Sequence, residues 1–404
     1  VNLGGWLVLE EAMMPGEGAA EDEAGFIRRL GGPSDPRAAA ALHRHWGGFV
    51  TEEDLDALRA FGVTHCRIPI GYWLLEEDPA SEGFLSGGER YLFRALAWMK
   101  RRGMRAVLDL HALPGGQAAN RSSTGRRAAQ AGFFRDQRRF SQGKDSMRKL
   151  AHLVVDFDNN VLTSGVVVGV ELVNEPDWSY WSTSPGIQDL FTEMIPEIRQ
   201  ILRAQQTAIL LSFAGPTMRS EGVEWLSSKR LAHPKEFAGV FYDAHISHAH
   251  GDDDAAGREW SPEKDSCKTC CRDPHLLAPL VHAGLPIVVG EYSVNSGTPH
   301  RGDPDFWRAY LQNQLSLWAS TPGVRGSFFW NHRAVLGDHA MRVRKLLGER
   351  ASPPVSLLEI INSGRKSWRP TVDQGLCPTE DMSRCPRIEP GNVLWIDDCA
   401  WSSA

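Results

Sequence analysis

Short apolar runs alternate with amphipathic stretches along most of the 404-residue chain, the pattern of a parallel α/β fold. Leu3–Val8 reads as a first strand. A helix follows, opened by Thr51 with Glu52, Glu53 and Asp54 in its first turn, where negative charge meets the positive end of the helix dipole. The apolar runs Thr64–Ile68, Ala106–Leu110, Val166–Val173, Ala208–Ser212, Val240–His245, Pro286–Gly290 and Gly326–Trp330 read as seven further strands. Helical patterns fall at Glu89–Arg102, Ser146–Phe157, Ile187–Gln205, Pro274–His282, Asp305–Ala319 and Val355–Asn362. Eight strands separated by helices predict a closed (β/α)₈ (TIM) barrel. Glu17–His45 reads as an N-terminal insertion after strand one. Residues 1–363 are then the barrel domain, and 364–404 a Cys-rich C-terminal extension.

Composition narrows the function. A net charge of −6 gives no basic footprint for nucleic acid, and no run of eighteen apolar residues spans a membrane. Fourteen Trp is a high count; indole faces stack on sugar rings, which favours a glycan partner. The chain starts at Val1 rather than Met, so it reads as a trimmed fragment, and the absence of a signal peptide or anchor here says nothing. Of seven Cys, Cys66 lies in an apolar run and reads as a buried thiol. Cys267, Cys270, Cys271, Cys377, Cys385 and Cys399 lie in polar stretches, an even set that predicts at least one disulfide and an extracellular or cell-surface setting. Zinc on Cys267, Cys270 or Cys271 with His275 is the rival, but no second ligand pair has the right spacing. No metal and no cofactor is expected, and a monomer is.

In a barrel of this kind, reacting groups sit at the C-terminal ends of strands. Arg67, Asp109, His111, Asn174, Glu175, Asp243, His245, Glu291 and Trp330 all fall at such ends. Any one of them alone would be an ordinary hydrogen-bonding group. Together they share one face, and two Glu ending the fourth and seventh strands suit a pair working on one glycosidic bond. A retaining reaction needs its carboxyl groups about 5–5.5 Å apart, one protonated and one ionised. Arg67 is placed to keep Glu291 ionised, and a drier setting would raise Glu175.

Five segments in order, VNLGGWLVLE (Val1–Glu10), GVTHCRIPIGYW (Gly62–Trp73), the LDLHALPGGQ and STGR stretch (Leu108–Arg126), ELVNEP (Glu171–Pro176) and VVGEYS (Val288–Ser293), carry a resemblance to glycoside hydrolase family 5, in its exo-β-1,3-glucanase branch, over about residues 1–335. The resemblance implies Glu175 as acid/base and Glu291 as nucleophile. It also implies Arg67, His111, Asn174 and His245 as supporting groups, Trp330 as a sugar platform, and a β-glucan as substrate. Two positions depart from that pattern: Ser247 stands where the branch carries a Tyr that orients the nucleophile, and His332 stands where it carries a second Trp. Either a substitute donor within reach of Glu291, from another strand end, or measurable but weak hydrolase activity is therefore expected. Trp330 is expected to line the pocket with some of Trp6, Trp73, Trp178 and Trp181. The sequon at Asn120 falls in the site loop and is expected to be unused. His248, His250 and Asp252–Asp254 read as a polar loop, and Arg126–Arg139 as a solvated one.

Overall fold

A computed structural model describes residues 1–14, 20–202, 206–213, 220–248, 268–294, 304–333 and 356–362. Seven strands form one parallel sheet in chain order: β1 (His65–Gly71), β2 (Arg105–Ala112), β3 (Val167–Glu171), β4 (Ala208–Ser212), β5 (Val240–Ile246), β6 (Ile287–Tyr292) and β7 (Val324–Phe329). Helices connect them, including Glu89–Arg101 after β1, Gln137–Asn159 after β2 and Ile187–Ile201 after β3. Each predicted strand from the second onward lands within a few residues of an observed one. The helix Ser220–Ala232 between β4 and β5 was not anticipated; its buried positions are only Gly222, Val223 and Leu226, too few to print an apolar stripe.

The first predicted strand is corrected. Leu3–Val8 is not a regular strand: it touches β1 through isolated bridges, Asn2 with Arg67 and Leu7 with Ile70. A turn at Gly4–Gly5, with Gly5 at φ 75°, breaks the ladder between them, a backbone shape that glycine adopts without steric cost. The segment still occupies the eighth stave. The Asn2 amide donates to Phe329 O of β7 at 2.9 Å, the Leu3 amide donates to Arg67 O on β1, and the Arg67 amide donates back to Val1 O. Val107, Leu210, Val288 and Phe328 fill the barrel interior below the mouth.

The insertion is helical and packs on this opening segment. Helix Pro36–Phe49 buries Leu42, Trp46 and Phe49, and the Trp6 indole donates to Trp46 O at 2.9 Å. Helix Glu52–Phe61 starts as expected, with Thr51 and Asp54 forming a reciprocal capping box. The 364–404 extension, which holds Cys377, Cys385 and Cys399, lies outside the described residues, and so does Cys267.

Helix Glu23–Arg29 supplies one unusual tie. Glu23 is fully buried, and its Oε2 accepts from the Leu9 amide at 2.8 Å. Burial pushes its carboxyl up to about 8, against the hydrogen bonds from Leu9 and Trp73. The folded chain therefore holds this proton more tightly than the unfolded chain, whose Glu titrates near 4.5. Below that value both states are protonated and the contribution is complete; as pH rises through about 8 it is lost. Glu23→Gln, which cannot ionise, should gain stability relative to wild type between about pH 5 and pH 9. Denaturation midpoints whose difference stays constant over that range would refute the assignment.

Candidate active site

The site is built around Arg67 on β1. Its guanidinium is fully buried and reaches five groups: Glu171 Oε2 at 2.7 Å, Asn174 Oδ1 at 2.8 Å, Asn2 Oδ1 at 2.9 Å, Glu291 Oε1 at 2.9 Å and Asp109 Oδ2 at 3.1 Å. A planar fork of five N–H donors suits such a set, and an ammonium does not.

Asp109 and His111 lie two residues apart on β2, so both face the barrel interior. Asp109 Oδ2 holds His111 Nδ1 at 2.6 Å. Burial opposes the His111 charge, but Asp109 outweighs it and raises the imidazole above its usual range. The ring of His111 runs nearly parallel to that of Trp330, at 5.8 Å and 12°. Trp330 also lies across Gly4, where a Cβ would sit 2.4 Å from the indole. Gly4 therefore serves the site as well as the turn.

Asn174 and Glu175 follow β3. Glu175 has φ 41°, a left-handed conformation that costs a non-glycine residue about 1 kcal/mol or more. Neighbours hold it there. The Glu175 amide donates to Ser212 Oγ at 3.2 Å, and Gln117 Nε2 donates to Asn174 O at 2.7 Å. The Asp177 amide donates to Gln117 O at 2.9 Å. Gln117 was not singled out from sequence, although it stands in the third-strand motif.

His245, at the end of β5, sits between the two glutamates. Its Nδ1 lies 2.9 Å from Glu175 Oε1 and 3.7 Å from Glu291 Oε2, and its Nε2 lies 3.8 Å from Asp243 Oδ2. Carboxylate oxygens of Glu175 and Glu291 lie within 4.8 Å of each other and of His245. Both side chains open to the mouth, at 26% and 19% exposure. Burial works against a charged His245, but Glu291, Asp243 and Glu175 raise it well above the imidazole range. Burial would raise Glu175, yet the His245 hydrogen bond and charge bring it down to about 2. Burial pushes Glu291 up, with Glu175 adding to it and His245 and Arg67 opposing.

All seven predicted site residues thus converge on one mouth. Arg67, on β1, donates to Glu291 Oε1 as expected of it, and on the other oxygen His245 Nδ1 lies 3.7 Å from Oε2. Tyr292 points away, packed edge-on against Trp318 and Phe329. Two of the proposed platform residues are corrected. Trp6 is bonded into the core, and Trp73 stacks on Phe84 at 3.9 Å with only 2% exposure. Trp178 is half-buried and stacks on Trp181 at 4.4 Å.

Glu10 is a residue that sequence reasoning passed over, though it closes the first motif. Burial pushes its carboxyl up to about 7, with Glu291 and Glu175 adding and His111 opposing. Its Oε1 is buried and makes no hydrogen bond among the described residues. Glu171 with Asp243 and His245, and Glu175 with His245 and Glu291, have donor types and spacing that a cation would accept. Arg67 and His245 already bring positive charge to both groups.

A parallel α/β barrel with two carboxylates facing each other over its C-terminal mouth is the architecture of barrel glycosidases. Residues 32–321 match the model for cellulase, glycosyl hydrolase family 5, and the chain belongs to that family. It is 34% identical over 217 residues to a probable glucan 1,3-beta-glucosidase A of Aspergillus fumigatus, covering 52% of this chain and 49% of that one. The chain thus spans about half the length of the first curated relatives it matches. A probable glucan endo-1,6-beta-glucosidase B of the same species is 25% identical over 363 residues, covering 84% of this chain and 83% of that one. Among solved structures, the rutinosidase from Aspergillus niger shares the fold, with TM-score 0.60, 19% identity, and 83% and 89% of the two chains covered. So does AoRut, at TM-score 0.62 and 20% identity, with 83% and 88% covered.

Removing the central cation tests the geometry. Arg67→Met would leave Glu171 buried without its cation and Asp109 with His111 as its remaining partner, at an expected cost on the order of 3–5 kcal/mol in urea denaturation. A loss under about 1 kcal/mol, the scale of an exposed pair, would show that Arg67 does not organise the site.

Proposed function

We propose that the chain is a retaining β-glycoside hydrolase acting on β-1,3-linked glucan, with Glu175 as acid/base and Glu291 as nucleophile. The observation that carries this reading is the carboxylate separation. One carboxylate oxygen of each glutamate lies within 4.8 Å of the other, an approach that suits the retaining geometry, whose carboxyl groups stand about 5–5.5 Å apart. Glu291 attacks the anomeric carbon and forms a covalent glycosyl intermediate while Glu175 protonates the leaving oxygen. Water then enters as Glu175 removes its proton, and the sugar leaves with its anomeric configuration unchanged.

The charge distribution supports these roles once one proton is followed. With the mouth open, His245 is the cation and Glu175 the anion of a 2.9 Å hydrogen bond. Moving the proton from Nδ1 to Oε1 gives an acidic Glu175 and a neutral imidazole. Glu291 has to stay ionised throughout; Arg67, a cation that does not titrate, and His245 oppose the rise that burial and Glu175 impose on it. Substrate closing off solvent favours this transfer, since it replaces an ion pair by two neutral groups in a drier space. Asn174, held by Arg67, faces the sugar 2-hydroxyl; Trp330 offers an aromatic face; Glu10, with a free oxygen at the same mouth, takes a further sugar hydroxyl.

A β-1,6-glucan is the second reading, favoured by the longer alignment to the endo-1,6 relative. A glucosylated lipid would use the same chemistry. A catalytically weakened glycan-binding protein, suggested by Ser247, is disfavoured by the bond from Arg67 to Glu291. The reading includes an extracellular or cell-surface setting. Cys270 and Cys271 are buried, and the reading includes a disulfide among the loop cysteines, which suits an oxidising compartment. No helix among the described residues is long and apolar enough to cross a membrane.

Wild type should hydrolyse an aryl β-glucoside and laminarin and release the β-anomer first, seen by proton NMR. Glu291→Gln should lose roughly 10³-fold or more in kcat. Glu175→Gln should lose less on an aryl glycoside whose leaving group needs no proton. Release of the α-anomer, or an active Glu291→Gln, would overturn the assignment. Faster turnover of a β-1,6-glucan than of laminarin would select the second substrate.

A further inference from the structure

The stretch after β5, read from sequence as a polar loop, instead contains a buried hydrogen-bond network that the reaction does not use. His248 is 1% exposed. Its Nε2 donates to Asp273 Oδ2 at 2.8 Å, and its Nδ1 contacts the hydroxyl of Tyr310. Arg272 Nε donates to Asp273 Oδ1 at 3.1 Å, and Arg272 Nη2 donates to Ser247 O at 3.2 Å. Asp273, Arg272 and Tyr310 are all buried as well. These partners come from the start of helix Asp273–His282, the residue before it, and helix Pro304–Ser320. Burial works against the Asp273 charge, but His248 and Arg272 outweigh it and hold the carboxyl below its ordinary range.

The location gives the network its consequence. His245, Ser247 and His248 are consecutive parts of one strand end. His245 reaches both glutamates from a position just after a register shift between Ala244 and His245. Such an irregularity loosens a ladder, so this strand end needs fixing from elsewhere. Two helices grip it from behind, one through the Ser247 carbonyl and both through the His248 ring.

We propose that Arg272, Asp273, His248 and Tyr310 form a positioning clamp that fixes His245 against Glu175 and Glu291. The clamp acts through His245 and touches no substrate. Its effect on rate rests on the hydrolase reading above, but its effect on geometry does not.

Tyr310→Phe removes one hydroxyl and little volume; His248→Gln keeps a donor toward Asp273 and is the second variant should the first not fold. Crystal structures should show the 2.9 Å contact from His245 to Glu175 lengthened or lost in Tyr310→Phe. On an aryl β-glucoside, kcat should fall roughly 10–100-fold with KM nearly unchanged, the scale of a misplaced group. In a His245→Ala background, Tyr310→Phe should cost nothing further, because its route to the chemistry is already cut. A lower Tm with the His245 contact and kcat intact would overturn the clamp, as would full additivity with His245→Ala. If wild type hydrolyses no β-glycoside, the functional reading fails, and the crystal structures alone decide the clamp by the same contact.

Discussion

The structure depends on one buried guanidinium. A charge taken out of water costs several kcal/mol unless every donor is matched, and Arg67 meets that condition with five partners drawn from the opening segment, β2, β3, the turn after β3, and β6. No pair of those elements adjoins Arg67 by sequence; the fold has to bring them to it. The same contacts then fix the rotamers of Asn174 and Glu291, so the ordering of the catalytic groups is completed during folding, not at substrate binding. Preorganised polar groups of this kind cost no reorganisation when the reaction occurs.

The two glutamates are alike in chemistry and differ in the cation beside them. Glu291 is bonded to an arginine, which cannot lose its proton in the working pH range. Glu175 is bonded to a histidine, which can. One carboxylate therefore has a permanent counter-charge and the other a titratable one that doubles as a proton donor. In the proposed reaction this asymmetry suits Glu291 as nucleophile and Glu175 as acid/base, although, with the mouth open, burial and mutual repulsion raise Glu291 while Glu175 is low. The resting direction reflects an imidazolium shared by the pair. The reactive distribution differs from it by one proton moved along an existing hydrogen bond.

Much of this was legible in the chain. Strands buried on both faces announce themselves as runs such as Val166–Val173, and the polar residues interrupting their ends marked the mouth. Arg67, His111, Asn174, Glu175, His245, Glu291 and Trp330 could be placed because strand ends in a parallel barrel all point one way. What stayed hidden was long-range or locally ambiguous. Leu3–Val8 has strand composition, but the turn at Gly4–Gly5 interrupts it, with Gly4 against Trp330 and Gly5 against Met13. His248 looked like loop because its partners, Asp273 and Tyr310, lie 25 and 62 residues away. Trp6 and Trp73 share the chemistry of a sugar platform, and only their packing shows them to be core. Glu10 is one more acidic residue until burial and its neighbours give it a role.

Asn2 shows how far barrel closure and site assembly are one event. Its Nδ2 donates to Gly290 O at 2.9 Å and Phe328 O at 3.0 Å, on β6 and β7, while its Oδ1 accepts from Arg67 on β1. A single side chain thus spans the seam where the seven-stranded sheet would otherwise be open, and its acceptor is one of the five that satisfy the central cation. Gly290 immediately precedes Glu291, so the bond that closes the seam also fixes the backbone from which the second glutamate projects. A barrel that failed to close would leave Arg67 short of a partner and Glu291 without a fixed origin. The short opening segment, irregular and only bridged to β1, is for that reason tied to the chemistry as closely as any regular strand.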